Sequence, residues 1–146
     1  MDDDARRRRA HAAVDAALDR VLAHDMAGFA ALWAPGGTMT FPFAAPGSPR
    51  ALTGRDAVAD YVAGYNDLLL PTAVVDEVRH TTGDPDTVVV EFGVRGTVVA
   101  TGADYALHYV AVVTVGPDGI TGYRDHWSPL EVQQVLGRTG LAEATR

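Results

Sequence analysis

The chain of 146 residues contains no cysteine, and this absence excludes several kinds of site. Disulfide bonds, thiolate metal centres and cysteine nucleophiles cannot occur in it. Long hydrophobic runs are also missing, because no stretch approaches the length of a membrane-spanning helix or resembles the apolar core of a signal peptide. We therefore expect a cytoplasmic location and no membrane partner.

Basic residues are outnumbered. Twelve Lys and Arg stand against 19 Asp and Glu, which gives a net charge of −7. Phosphate binding requires clustered basic side chains, so we expect no nucleic-acid partner. The one basic run, at positions 6–9, follows acidic residues at 2–4. This spacing predicts charge pairs within the first helix rather than a binding surface.

Several familiar catalytic motifs are absent as well. The sequence has no G-x-S-x-G elbow, no Walker or dinucleotide-binding glycine pattern and no H-E-x-x-H. The five histidines show no spacing typical of metal ligands. We expect neither a metal nor a cofactor, which leaves acid/base chemistry by the side chains themselves.

What is present is the composition of one globular domain. Hydrophobic residues make up 47% and charged residues 21%, which are ordinary values. A chain of 146 residues is long enough for one real core. Because no linker, repeat or low-complexity tract divides it, we expect a single domain over residues 1–146.

The first part of the chain predicts helices. An apolar stripe between positions 14 and 22 favours a first helix. Phe29, Leu32 and Trp33 recur at helical spacing and predict a second helix, ended by the Pro-Gly-Gly at 35–37. The segment 38–43 has the composition of a strand.

A third helix is predicted from a capping box at Thr53–Asp56. Its apolar face would hold Val58, Tyr61, Val62 and Tyr65. Beyond it, long strands are predicted over 74–82, 87–101 and 105–115, with bulges or strong curvature at the glycines in the second of them. Three helices followed by a meander of strands indicate an α+β fold in which a curved sheet wraps the helices.

The closing segment carries the clearest pattern. Because strand residues alternate between faces, Tyr123, Asp125 and Trp127 should share one face, with the carboxylate between two rings. Ser128 is a suitable helix cap, and Glu131 lies where a capping box needs its acid. We interpret this strand and its short closing helix as the floor of a pocket.

Three stretches resemble one family. They are F-P-F before a Pro/Gly loop, T-V-V-V-E-F in the middle strand, and above all D-G-I-T-G-Y-R-D-H-W-S-P-L-E-V. Over residues 10–136 the chain resembles the SnoaL-like polyketide cyclases and phenazine-biosynthesis A/B proteins of the nuclear transport factor 2-like superfamily. The resemblance implies a cone-shaped α+β barrel with three N-terminal helices on a mostly antiparallel sheet, a short C-terminal helix, and a homodimer formed through the outer sheet face.

The same fold serves ketosteroid isomerase, limonene epoxide hydrolase, scytalone dehydratase and non-catalytic binding proteins, so the resemblance names no substrate. Members commonly place an acid at the position of Asp125, working as a general acid/base. The flanking rings would desolvate this carboxylate and raise its pKa. The alternative is a structural carboxylate bonded to a neighbouring strand or to Arg95.

His108 is the second catalytic candidate. It shares its strand face with small and branched residues, which favours a packed or interface histidine. If that face is the pocket face, His108 would lie across from Asp125, as in a pair that the SnoaL-like cyclases use. Tyr109 could donate a hydrogen bond to a carbonyl oxygen, as could Tyr65 and Tyr105. His80 is a weaker candidate.

Glu91 lies in an otherwise apolar strand and needs a partner, for which Arg95 is the nearest choice in sequence. A second carboxylate in the pocket would instead suit epoxide opening. The remaining candidates for a substrate-binding wall are aromatic. They are Trp33, Phe41, Phe43, Tyr61, Tyr65, Tyr123 and Trp127.

The sequence thus favours a cofactor-independent isomerase, cyclase or dehydratase that acts on a hydrophobic natural-product intermediate in a deep pocket. Two alternatives stay open. One is a non-catalytic small-molecule-binding or dimerisation module, and the other is an epoxide hydrolase-type enzyme. An empty aromatic-lined cavity with Asp125 at its floor would favour an enzyme, and a cone filled by side chains would favour a scaffold.

Overall fold

The structure, a computed structural model, describes residues 1–137. These described residues form five helices and one six-stranded sheet. The helices are α1 (Asp3–Leu22), α2 (Met26–Ala30), α3 (Arg55–Val62), α4 (Tyr65–Leu68) and α5 (Pro129–Leu136). The strands are β1 (Trp33–Thr40), β2 (Ala51–Thr53), β3 (Leu69–Thr81), β4 (Thr87–Val98), β5 (Asp104–Gly116) and β6 (Gly119–Trp127).

The sheet has the order β2-β1-β6-β5-β4-β3 and is antiparallel except where β1 pairs with β6. The predicted α+β fold, with helices on a mostly antiparallel curved sheet, is therefore confirmed. β3 is an edge strand, and this position tolerates Pro71, which has no N–H to donate. It begins at Leu69, ahead of the predicted start at 74.

Alternation along the strands separates an inner face from an outer one. In β5 the side chains of Tyr105, Leu107, Ala111 and Val113 are buried, whereas His108 and Val110 between them are exposed. The inner face packs against the helices and forms one core with them. Side chains that project from the inner face near the helices can therefore line an interior cavity, and side chains that project from the outer face cannot.

The N-terminal basic run does not pair only within its own helix. Arg6 donates to both oxygens of Asp86 in the β3–β4 turn, at 2.9 and 2.7 Å, and Arg9 donates to the same carboxylate at 3.2 Å. Asp3 is a further partner of Arg6 at 3.3 Å. The predicted self-paired helix start is wrong in this respect, because the charges also fasten α1 to the sheet.

The predicted second helix is wrong beyond Ala30. Trp33 begins β1 instead, with its side chain completely buried and its indole N–H donating to the carbonyl oxygen of Thr38 at 3.1 Å. The N–H of Ile120 donates to the carbonyl of Leu32 at 2.9 Å, so pairing with β6 already holds the backbone here. A distant strand, which local spacing cannot reveal, decides the conformation.

The third helix starts and ends differently from the prediction. Gly54, with φ of 94°, is the capping position, and no side chain caps the helix there. Helical structure is interrupted after Val62 and resumes at Tyr65 as α4. Within residues 1–137, no helix combines the length and the apolar character needed to cross a membrane.

Candidate active site

A cavity of about 120 Å³ lies between the inner face of the sheet and the helices. All five helices contribute to its wall, through residues such as Leu18, Phe29, Tyr61, Tyr65 and Leu136. Most of the wall is aliphatic or aromatic. An interior cavity with few polar groups is the usual form of a small-molecule site.

The closing strand supplies the polar floor of this cavity. Tyr123, Asp125 and Trp127 all line it, as the alternation of β6 predicts. β5 pairs with β6 so that Ala111 lies opposite Asp125 and Tyr109 opposite Trp127. The helix that follows is fixed by Ser128, whose hydroxyl accepts a hydrogen bond from the N–H of Glu131 at 3.3 Å, and by Gly137 in a left-handed conformation.

Asp125 has no hydrogen-bond or ion-pair partner among residues 1–137, although it lines an interior cavity. The alternative of a structural carboxylate held by Arg95 is wrong, because Arg95 is exposed on the opposite face of the sheet. Burial raises the pKa of Asp125 from 3.8 to about 7. At neutral pH the carboxyl group can therefore both accept and donate a proton.

Tyrosine hydroxyls surround this carboxylate. Burial raises the pKa of Tyr61, Tyr65, Tyr109 and Tyr123, and the negative charge of Asp125 adds to the effect in each case. All four line the cavity and remain protonated donors at neutral pH. The cavity thus combines one titratable acid with several neutral hydrogen-bond donors.

Tyr65 lies next to two other tyrosines, Tyr105 and Tyr109. The neighbouring Tyr109 contributes, after burial, to the raised pKa of Tyr65, and Tyr65 in turn contributes to that of Tyr105. The Tyr105 hydroxyl is buried and has no hydrogen-bond partner within the described chain. Tyr105 does not line the cavity, so it neighbours Tyr65 but is not part of the site.

His108 faces away from the cavity. Its backbone N–H and its Nδ1 contact the two carboxylate oxygens of Glu131 at 3.1 and 2.7 Å, and its side chain is 63% exposed. The hypothesis that it lies across from Asp125 is wrong, because it projects from the outer face of β5 while Asp125 projects inward. The Glu131 carboxylate therefore binds His108 of β5 and does not form a capping box with Ser128.

Glu91 is also on the outer face. Its carboxylate contacts Nε2 of His80 at 2.5 Å, and both side chains are about half exposed. The prediction that Arg95 is its partner is therefore wrong. The pairing of β3 with β4 brings His80 closer to Glu91 than Arg95, which lies further along β4. Neither Glu91 nor His80 reaches the cavity.

Two predicted wall residues lie elsewhere. Phe43 is 63% exposed and packs its ring edge against His126 outside the cavity. Trp33 is wholly buried and does not line the cavity, although it supports Phe29 and Tyr123, whose ring centroids lie 5.1 and 5.3 Å from its own. The other aromatic predictions do line it, namely Phe41, Tyr61, Tyr65, Tyr109, Tyr123 and Trp127.

Several wall residues escape sequence reasoning. Met26 and Phe29 enter from α2, and Met39, Phe92 and Leu107 enter from three strands. Inward alternation in β4 could have indicated Phe92, but nothing in the sequence distinguishes a residue beside a cavity from one in the core. In residues 1–137, no group of three or more His, Cys, Asp or Glu side chains is placed to hold a metal ion.

Known proteins of similar sequence and structure agree with this architecture. The uncharacterized protein YesE of Bacillus subtilis is 32% identical over 121 residues, which cover 83% of this chain and 82% of that protein. A crystal structure of a "Putative Isomerase" from Bacillus subtilis matches with a TM-score of 0.84 at 28% identity, over 94% of this chain and 96% of the other.

A phenazine biosynthesis-related protein of Pseudomonas aeruginosa shares the fold at a TM-score of 0.73 and 16% identity, over 93% of this chain and 90% of its own. The resemblance inferred from the closing motif is confirmed at the level of sequence, because residues 14–123 match the family described as "SnoaL-like domain". The chain belongs to the SnoaL-like domain family.

Proposed function

We propose that this protein is a cofactor-independent acid/base enzyme that rearranges a hydrophobic carbonyl compound inside the cavity. The observation that carries this proposal is the unpartnered Asp125 carboxyl group, which lines an apolar cavity and has a pKa near 7. A buried acid without a partner destabilises a fold, and such strained groups concentrate at active sites. Isomerisation is the simplest reaction that these groups could perform.

In this reaction the ionised Asp125 removes a proton from the carbon beside the carbonyl group. The C–H bond breaks, an O–H bond forms on Asp125, and the electron pair moves to the carbonyl oxygen. In a carbonyl compound with a β,γ double bond the product is a dienolate, which Asp125 then protonates at the γ carbon, so that the double bond moves into conjugation and Asp125 regains its charge. Atoms and electrons balance without any co-reactant, and the pKa near 7 suits both proton transfers.

Tyr109 and Tyr65 are the donors that we assign to the enolate oxygen. Both line the cavity, both stay protonated, and each influences the pKa of the other. Hydrogen bonds that strengthen as negative charge develops lower the barrier more than they stabilise bound substrate. A cyclisation or dehydration would use the same acid and donors, because it also passes through an enolate or its equivalent.

The remaining residues with proposed roles are the cavity walls. Phe41 packs on Tyr61 with ring centroids 5.1 Å apart, and Phe92 stacks on Tyr109 at 5.2 Å. These contacts fix the orientation of the two tyrosines. Epoxide opening receives no support, since it requires a second carboxylate beside Asp125 and Glu91 lies on the outer face.

The test is enzyme-catalysed exchange of the protons beside a ketone carbonyl in D₂O, followed by NMR. We expect kcat/KM to rise with pH up to about 7 and then to level off, because the free carboxylate is the active form. Asp125→Asn should lower the exchange rate by about 10²–10⁴-fold. Exchange that is unaffected by Asp125→Asn, or that shows no inflection near pH 7, would refute the role of Asp125.

The tyrosines provide a second set of variants. Tyr109→Phe or Tyr65→Phe removes one donor and should lower kcat by about 10²–10³-fold with a smaller effect on KM. Tyr105→Phe is the control for loss of a neighbouring phenol, because Tyr105 does not line the cavity and its hydroxyl cannot reach a substrate there. An equal loss in all three variants would indicate a packing effect rather than oxyanion stabilisation.

A second candidate function is the non-catalytic binding of a small organic cation. One carboxylate enclosed by aromatic rings is a suitable cage for an ammonium group. Such a ligand would lower the pKa of Asp125, because an adjacent positive charge favours the ionised form. Carboxyl-carbon NMR of Asp125 with and without tetramethylammonium, in parallel with the exchange assay, distinguishes a cage from an enzyme.

A further inference from the structure

We infer that the substrate is an uncharged compound whose reacting part is a single five- or six-membered ring or an acyclic group of that size. This inference rests on the proposed function and concerns the substrate that the same cavity accepts. It departs from the polycyclic intermediates that the names of polyketide and phenazine pathways suggest. The arguments come from the cavity's volume, its polar groups and its charge.

Volume sets the first limit. The cavity measures about 120 Å³. An apolar protein cavity of about 150 Å³ holds one benzene molecule, so this cavity has room for roughly one small ring. A fused bicyclic or larger skeleton would reach Asp125 only by leaving its further rings at the open side of the cavity or by displacing wall side chains, many of which are nearly inaccessible: Phe41 is 1% exposed and Leu69 2%. Packed interiors resist such displacement.

The polar groups of the wall set the second limit. Apart from Asp125, the side-chain polar atoms of its described residues are the tyrosine hydroxyls and the Trp127 indole N–H. A ligand with many hydroxyl or amide groups would leave most of them without partners in this cavity. One carbonyl group, by contrast, can accept from Tyr65 or Tyr109 while the rest of the ring contacts aliphatic and aromatic carbon.

Charge sets the third limit. No Lys, Arg or His is among the described residues that line the cavity. An anionic substrate would meet a buried carboxylate without any compensating positive group, and the like charges would raise the pKa of Asp125 further and suppress the base. Carboxylate, phosphate and thioester-carrier substrates that must enter whole are therefore poor ligands for this site.

Leu136 is the wall residue that we assign to the size limit. It lies in the last turn of α5 and is only partly buried, so shortening it should enlarge the cavity with less loss of stability than a change in the sheet. Val135, its neighbour on the same helix, also packs against the core but does not line the cavity. It provides a matched control.

The experiment is a binding series with unreactive ketones of increasing size. Cyclopentanone, cyclohexanone, 2-decalone and a saturated 3-ketosteroid are titrated against the full chain at pH 8, with Asp125 and Tyr109 resonances as the site-specific readout. We expect the monocyclic ketones to bind at least about tenfold more tightly than decalone and the steroid not to bind at Asp125. Cyclohexanecarboxylate should be rejected.

Leu136→Ala should reduce the difference between cyclohexanone and decalone by about fivefold or more, and Val135→Ala should leave it unchanged. Decalone or the steroid binding to the wild type as tightly as cyclohexanone would overturn the inference. It would equally be overturned by tight binding of the carboxylate, by tetramethylammonium binding in preference to every ketone, or by no ketone binding at all.

This series separates the size limit from the proposed chemistry, because the ketones bind without reacting. Monocyclic ketones that bind and show no Asp125-dependent proton exchange would refute the proposed function and leave the size limit standing. Asp125-dependent exchange that is seen only with a polycyclic ketone would support the proposed function and refute the size limit.

Discussion

At the scale of single residues, Asp125 affects both stability and chemistry. Its pKa is raised from 3.8 to about 7 by burial, and no described residue pairs with it. The folded protein therefore holds a proton on this group between about pH 4 and pH 7, where the unfolded chain has released it. The contribution of this group to stability is greatest below this range and falls as the pH rises through it.

Replacing Asp125 by Asn should reveal this effect. A shift of about three units corresponds to roughly 4 kcal/mol, which is an upper limit because local rearrangement and water relieve part of it. We expect Asp125→Asn to be more stable than the wild type at pH 8 and the difference to shrink as the pH falls toward 4. Urea unfolding at pH 4, 6 and 8 measures it.

Asp118→Asn, in the exposed β5–β6 turn, is the control for loss of a surface carboxylate. It should show no comparable dependence on pH. If Asp125→Asn were less stable than the wild type at pH 8, the carboxylate would have a favourable interaction in the folded protein, and its role as a strained, desolvated base would be refuted.

At the scale of elements, the short helix α5 joins the two faces of the sheet. Val132 and Leu136 point into the cavity, while Glu131 reaches around to contact His108 on the outer face of β5. Together with the Ser128 cap, these contacts hold a helix of only eight residues in place. Helices this short depend on such tertiary contacts for their stability.

Glu131→Ala should loosen α5 specifically. It removes both contacts with His108, and we expect hydrogen exchange of the α5 amides to become about fivefold faster, corresponding to roughly 1 kcal/mol, with β4 and β5 unchanged. Gln133→Ala, at an exposed position of the same helix, controls for the change in helix propensity. Equal effects of both substitutions would show that the His108 contact does not hold the helix.

The same elements show what could be predicted from the sequence. The face shared by Tyr123, Asp125 and Trp127, and the cap at Ser128, depend on neighbours within a few residues, so local pattern was sufficient. Trp33 and His108 depend on partners about 90 and 23 residues away, and nothing local indicates those partners. The placement of Asp125 could thus be predicted, whereas its distance from any histidine could not.

At the scale of the whole molecule, the helices within residues 1–137 cover one face of the sheet and leave the other open. The helices and the cavity occupy the inner face, and the outer face carries exposed apolar side chains, including Val78 at 49% and Val110 at 37%, beside the His80–Glu91 and His108–Glu131 pairs. Apolar side chains exposed on the open face of a sheet are typical of an interaction surface. The family resemblance implies that a second copy of the chain covers this face.

We therefore predict a homodimer through the outer face. The 15.4 kDa chain should sediment at twice its mass at micromolar concentration, and Val110→Asp should yield a monomer because it places an unpaired carboxylate in the interface. Val99→Asp is the control, since Val99 is similarly exposed, at 45%, but lies in the β4–β5 turn. Cyclohexanone should bind the Val110→Asp monomer as well as the wild type, because Val110 does not line the cavity. A wild type that stays monomeric at high micromolar concentration would contradict the prediction.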